Sequence, residues 1–211
     1  VQFFQQYPGR IVVGLSIGTL DDEWARGMET GTPPPTARIR ALHRLQDASI
    51  PTFGMLCPVF PEVLQDGSFE ALIEQIRPSL VEHVWAEPYN DRINWRVVRA
   101  KYDPGSDTYR WFTAVYEEHR TDLWSAYATE MYVRLSSIAR QEGWLHKLRY
   151  LLYEDQITSD DAAAFKGLEG VLLQSKPGED GRSRNPHMAR YQLPSLVEAI
   201  TQNRIDHSVN E

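Results

Sequence analysis

Hydrophobic and polar positions along the chain change period several times, and each change predicts an element. The run Ile11-Val12-Val13-Gly14-Leu15-Ser16-Ile17 is short, apolar and β-branched, which predicts a buried strand. A turn at Gly18-Thr19 follows, with Thr19 placed to cap a short acidic helix through Asp22 and Glu23 that Gly27 or Gly31 closes. Three prolines, Pro33 to Pro35, then introduce a helix over Pro35–Ala48 that turns Ile39, Leu42 and Leu45 inward. A second strand, Thr52 to Cys57, follows Pro51, and Pro58 and Pro61 frame a rigid loop. After Gly67-Ser68 the residues Phe69, Leu72, Ile73, Ile76 and Leu80 keep helical spacing, and His83-Val84-Trp85-Ala86-Glu87 reads as a third strand ending at Pro88. Strands that alternate with helices make a βαβαβ ladder, so they run parallel and their carboxyl ends lie on one side.

Beyond Asn90 the pattern turns to aromatic-rich helices, one near Thr108–Glu118 and one near Asp122–Glu142 that stops at Gly143. Two strands, His146–Tyr153 and Gly170–Ser175, flank a helix near Asp160–Lys166. A turn-rich loop spans 176–186, and a last helix covers Pro194–Asn203. The expected organisation is a barrel-like part over residues 1–95 and a helical extension with a few short strands over 96–211.

Composition narrows the function. The chain has 211 residues, 42% hydrophobic and 24% charged, which suits a globular protein with a sizeable core. A net charge of −7 gives no bulk attraction for nucleic acid or an anionic membrane. No apolar run reaches the roughly 18 residues of a membrane span, and no signal peptide is evident at Val1. The single Cys57 allows neither an internal disulfide nor a multi-cysteine metal site, so a reducing cytoplasmic setting is expected. The chain opens on Val rather than Met and its first strong element reads as a central strand, so a fragment of a longer protein is expected.

Several groupings carry candidate chemistry. Gly14-Leu15-Ser16-Ile17-Gly18 matches the G-x-S-x-G nucleophile elbow, which would make Ser16 a hydrolase nucleophile with His187 or His207 and an acid such as Asp155. The bland alternative is a packing glycine at Gly14 and a turn glycine at Gly18. Polar residues also close three successive strands: Ser16 and Thr19, then Cys57-Pro58, then Glu87-Pro88-Tyr89-Asn90 with Arg92. At the carboxyl ends of parallel strands these could bind one polar ligand, or could be ordinary caps. Glu29 and Arg38 flank the prolines and could grip an amino-acid-like ligand, or form a surface ion pair. Arg92, Arg96, Arg99 and Lys101, mixed with Trp95 and Tyr102, could line a phosphodiester groove or a solvated face. The Arg182 and Arg184 loop is a solvated turn or a contact loop, and the six histidines show no metal-ligand spacing.

The run from Leu15 to Glu23, Met28-Glu29 with the prolines, Arg38-Ile39 through Leu45, Ile50-Pro51 and the strand closing in Pro58-Val59-Phe60-Pro61 resembles the second half of a radical S-adenosylmethionine barrel. Within that superfamily it is most similar to the spore photoproduct lyase-like group, often labelled DNA repair photolyase. Glu87 to Asn94 resembles the sixth-strand motif of the same proteins, and the resemblance covers residues 10–95. It implies a partial (β/α)6 barrel whose fourth, fifth and sixth strands are present here. It also implies that Ser16 or Thr19 contacts the ribose of S-adenosylmethionine, Glu29 its methionyl amino group and Arg38 its carboxylate. Pro58, Glu87, Asn90 and Arg92 would then line the adenine or substrate side. In the family a [4Fe–4S] cluster delivers the electron that cleaves the sulfonium. The three-cysteine motif that ligates the cluster is absent, as are the first three strands. The chain is therefore expected to be the carboxyl-terminal piece of such an enzyme, inactive alone and partnered by the missing amino-terminal half of the barrel. Nucleic acid as a substrate follows from analogy only. The alternatives are the Ser16 hydrolase and a degenerate barrel that acts as an interaction module.

Overall fold

A computed structural model of the chain describes residues 1–7, 9, 11–65, 67–91, 93–153, 156–164 and 172–175. These form α and β elements in alternation, and the chain divides into two compact units, Val1–Leu123 and a second that begins at Trp124. The segment 96–123, read from sequence as the start of an extension, belongs to the first unit.

The first unit opens with the one-turn helix α1, Gln2–Gln5, and is built on three parallel strands in chain order: β1, Val13–Ser16; β2, Thr52–Val59; and β3, His83–Pro88. Register runs from Val13↔Thr52 to Ser16↔Met55, and from Phe53↔His83 to Leu56↔Ala86 with an irregularity before Val59↔Pro88. The α/β class and the parallel pairing predicted by the alternating pattern are therefore present. One expectation is corrected: β1 is shorter than Ile11–Ile17 and, among the described residues, stands at the sheet edge with all four residues half-buried. β2 also runs on through Pro58 to Val59, beyond its expected end at Cys57.

Helices α2, Asp22–Met28, and α3, Pro35–Asp47, connect β1 to β2. The cap of α2 is Asp21 and not Thr19. Its carboxylate accepts the Glu23 and Trp24 amides at 2.8 and 2.9 Å, while Thr19 Oγ1 accepts the Asp21 amide at 3.1 Å. A carboxylate outcompetes a hydroxyl there because it also faces the positive end of the helix dipole. Asp21→Ala should therefore destabilise the first unit by about 1 kcal/mol while Asp21→Asn stays near wild type, read from urea midpoints. Pro35 opens α3, whose Ile39, Leu42 and Leu45 are buried as predicted.

Helix α4, Ser68–Ile76, buries Phe69, Leu72, Ile73 and Ile76. Each such burial contributes about 1.5–3 kcal/mol. Leu80 is not part of this face. Arg77 turns left-handed (φ +53°), a 3₁₀ turn Pro78–Leu80 follows, and Leu80 is 54% exposed. After β3 come α5, Trp95–Arg99, which the sequence pattern did not single out, and α6, Asp107–Phe112. The predicted helix near Thr108–Glu118 continues past Phe112 as a π-helical turn, Thr113–Glu117.

The 21-residue α7, Thr121–Gln141, belongs to the second unit from Trp124 onward and buries Trp124, Met131, Tyr132 and Leu135, and Gly143 beyond it takes φ +80°. Strands β4, Leu148–Leu152, and β5, Leu172–Ser175, pair in parallel, with α8, Ser159–Ala162, between them in sequence. Tyr150 donates to the Tyr132 carbonyl at 2.8 Å and lies 2.7 Å from Ser136 Oγ, so its buried hydroxyl is satisfied. Aromatics at helical spacing are core here, as the burial tendency of Trp and Tyr predicts. The expected loop at 176–186 and the helix at 194–203 lie outside the described residues. Among the described residues no helix is long and apolar enough to cross a membrane.

Candidate functional site

The carboxyl ends of β1, β2 and β3 hold the polar residues that the sequence singled out, and side-chain contacts join five of them in one chain. Arg38 sits one turn into α3 and reaches two ways. Nη1 donates to the Ser16 carbonyl at 2.9 Å, and Nη2 pairs with Glu29, the C-cap of α2. The Ser16 hydroxyl donates to the Cys57 carbonyl at 2.5 Å, and the Cys57 thiol donates to Glu87 Oε2 at 3.3 Å. The contacts thus run Glu29, Arg38, Ser16, Cys57, Glu87, from α2 across all three strand ends.

Local structure explains the alignment. Asp22, in the first turn of α2, accepts the Thr36 amide at 2.9 Å and the Thr36 hydroxyl at 2.5 Å, so it fixes α2 against the start of α3. Those hydrogen bonds hold the Asp22 carboxyl below the usual carboxylate range. With α2 fixed, its far end brings Glu29 to Arg38. The side chains of Arg38 and Glu29 are only 12% and 24% exposed, so this is not the exposed surface pair of the bland reading. Gly18 sets the second distance: a Cβ there would stand 2.3 Å from the Pro58 carbonyl oxygen, so only glycine lets the loop after β1 lie against the end of β2.

Nε of Arg38 and Oδ1 of Asn90 are among the polar atoms buried at this end without a hydrogen-bond partner. Buried orphans of this kind are rare enough to mark places where a ligand or water completes the set. Thr19 is buried and spends its hydroxyl on the Asp21 amide, so it is not joined to the chain of contacts. The Pro58 carbonyl faces Gly18, and Arg92 lies outside the described residues. Asp22 and Gly18 add positioning groups that single-residue reasoning did not weigh as such. The Asp22 to Thr36 link had no local signal, since the two stand fourteen positions apart.

Other candidates fare differently. Ser16 ends a strand with no left-handed φ and its hydroxyl is committed to a backbone carbonyl, while Asp155, His187 and His207 lie outside the described residues. The basic and aromatic segment after β3 does not present its rings. Trp95 is 3% exposed beneath Arg96 and Arg99, whose guanidinium carbons lie 4.4 and 4.9 Å from the ring centroid. Arg99 also bonds Thr113 and Glu117, and Tyr102 donates to Glu62. Bases would find no open stacking surface on these two rings. Among the described residues no group of three or more His, Cys, Asp or Glu could hold a metal ion.

No protein-family model matches the chain, and no solved structure matches it at a significant level. It is similar to an uncharacterized protein of Acidianus two-tailed virus, 24% identical over 96 residues, which are 44% of this chain and 32% of the relative. It is also similar to uncharacterized proteins of Mycobacterium bovis and Mycobacterium tuberculosis, each 34% identical over 73 residues, or 34% of this chain and 21% of the relative. The chain thus spans about a third and a fifth of the length of these relatives.

Proposed function

We propose that the first unit is part of a radical S-adenosylmethionine barrel, in which the ends of β1 to β3 hold the cofactor and face the substrate. The observation that carries this reading is the unbroken contact chain from Glu29 through Arg38, Ser16 and Cys57 to Glu87. It offers a carboxylate and a guanidinium side by side for a zwitterionic amino acid, with the Ser16 hydroxyl, the Cys57 thiol and the Glu87 carboxyl beyond them. The unpartnered Nε of Arg38 and Oδ1 of Asn90 fit such a ligand, since each would gain a partner from it. Glu29 would hold the methionyl ammonium and Arg38 the carboxylate, Ser16 or Thr19 would face the ribose, and Pro58, Glu87 and Asn90 the adenine or substrate side. When bound and reduced by one electron from a cluster held outside this chain, the cofactor would supply a carbon radical to the substrate and release methionine.

An iron–sulfur cluster does not fit this chain's own residues. Cys57 is the only cysteine, and its thiol already donates to Glu87. The cluster ligands would have to come from a missing amino-terminal half, so the chain alone binds and orients without catalysing. A matched stretch that fills a fifth to a third of longer relatives suits a part-barrel within a longer protein. A lone cysteine suits a reducing cytoplasmic setting. Nucleic acid stays a substrate by analogy only, because the net charge of −7 gives it no support.

The test is equilibrium dialysis of the purified chain against labelled S-adenosylmethionine. Saturable binding is expected, weakened about tenfold or more by Glu29→Gln, the equivalent of ~1.4 kcal/mol. Absence of binding at millimolar ligand, or a Glu29→Gln variant that binds as wild type does, would overturn the reading. A stable chain without ligand would then point to an interaction module.

A further inference from the structure

The same end of the sheet carries a buried carboxyl that the contact chain does not use. Glu62 stands in the 3₁₀ turn Pro61–Leu64 directly after β2. Its Oε1 accepts the hydroxyl of Tyr102, from the loop between α5 and α6, at 2.5 Å, and its Oε2 is buried without a partner. The Trp24 indole N–H, from α2, faces this pair without completing a hydrogen bond of ordinary geometry. Aromatic rings close the surroundings. Phe60 packs edge-on to Trp24 with centroids 4.6 Å apart, and Phe112 stacks on Tyr102 at 5.7 Å. Among the described residues no cation pairs with Glu62. The titratable groups facing it are Tyr102 and, behind Tyr102, Tyr89, which Asp91 faces in turn.

An ionised carboxylate here would exchange its hydration for one hydroxyl, whereas a neutral acid gives up far less. Burial accordingly pushes the Glu62 carboxyl above the ordinary glutamate range, and pushes the Tyr102 hydroxyl up as well, so the tyrosine stays a donor. We propose that Glu62 and Tyr102 form a protonation-controlled latch that ties the α5–α6 segment to the end of β2, closed when Glu62 is a neutral acid and loosened when it ionises. The only chemical step is loss of the Glu62 proton to water. The latch has reach because Trp24, one of its walls, belongs to the helix whose C-cap is Glu29. Opening it would free the segment at 95–112 and relax α2 at the strand ends. It stands whatever ligand those ends take, so it does not rest on the S-adenosylmethionine reading.

The sign follows from linkage. A carboxyl whose folded pKa lies above its unfolded one stabilises the closed form fully at low pH, and that stability is lost as pH rises from the unfolded pKa toward the folded one. Glu62→Gln keeps a neutral side chain and should remove the dependence. The measurement is amide hydrogen exchange over residues 95–112, taken as the ratio of wild type to Glu62→Gln at each pH so that intrinsic exchange cancels. The ratio should sit near one at low pH and rise by up to about tenfold per pH unit across the window, one proton being linked to the opening. A ratio flat in pH overturns the latch. Should the glutamine variant fail to fold, a carbon-13 titration of Glu62 in the wild-type chain decides instead. A midpoint above the ordinary glutamate range, at the pH where the latch-linked rise in exchange levels off, supports the latch, and any other midpoint overturns it.

Discussion

Gly18→Ala is expected to lower the melting midpoint of the first unit by roughly 10 °C, from a loss of about 2–3 kcal/mol. The new Cβ would stand 2.3 Å from the carbonyl oxygen of Pro58, and the obstacle is backbone, so no side chain can swing away. Either the loop after β1 lifts or the end of β2 moves. Both routes separate Ser16 from the Cys57 carbonyl, so the variant should lose ligand binding along with stability. Gly27→Ala is the matched control: its Cβ would meet nothing within 4 Å, and it lies inside α2, where alanine is the better helix former. That variant should be as stable as wild type or gain up to about 1 kcal/mol. Equal melting curves for Gly18→Ala and wild type would refute the close approach.

The two glycines of the G-x-S-x-G match show why fold was more legible than site. A hydrolase motif and a packing requirement draw on the same letters, and only the third dimension separates them. At Gly14 a Cβ would fall 2.0 Å from the Phe53 ring on the neighbouring strand, and at Gly18 the neighbour is the Pro58 carbonyl. Both are close approaches between β1 and β2, which no local pattern encodes. The βαβαβ order, by contrast, is written in hydrophobic period. Ile39, Leu42 and Leu45 face inward on α3, and Phe69, Leu72, Ile73 and Ile76 on α4. Leu80 fits the same period and fails, because Arg77 leaves the helical region of backbone space and ends the face.

Caps and polar partners were the least legible. Thr19 and Asp21 are both good cap residues two positions apart, and the choice depended on where the chain turned after Gly18. The strand-end residues Ser16, Cys57 and Glu87 could be named from sequence as the last polar groups of three strands. Their order of contact could not, since it depends on register: Ser16 stands opposite Met55, which places Cys57 just beyond it. The Glu62 and Tyr102 pair gave no signal at all, with forty positions between its members.

Arg38→Met should destabilise the first unit by about 2 kcal/mol and weaken any zwitterionic ligand roughly 10- to 100-fold. Fully buried ion pairs cost about 3–5 kcal/mol to break from one side. Here the Glu29 side chain keeps about a quarter of its surface in water, which reduces that figure. The ligand loss follows from removing a charge-assisted bond of about 1.5–3 kcal/mol. Arg38→Lys separates geometry from charge. The guanidinium uses Nη1 on the Ser16 carbonyl and Nη2 on Glu29 together, whereas one ammonium cannot hold both partners in that fork. Lysine should therefore recover part of the stability and little of the binding. Pairing Arg38→Met with Glu29→Gln should return about half of the lost stability, because the carboxylate left behind is the larger share of the cost. If lysine instead restores both stability and binding, the forked contact with Glu29 and the Ser16 carbonyl is incidental.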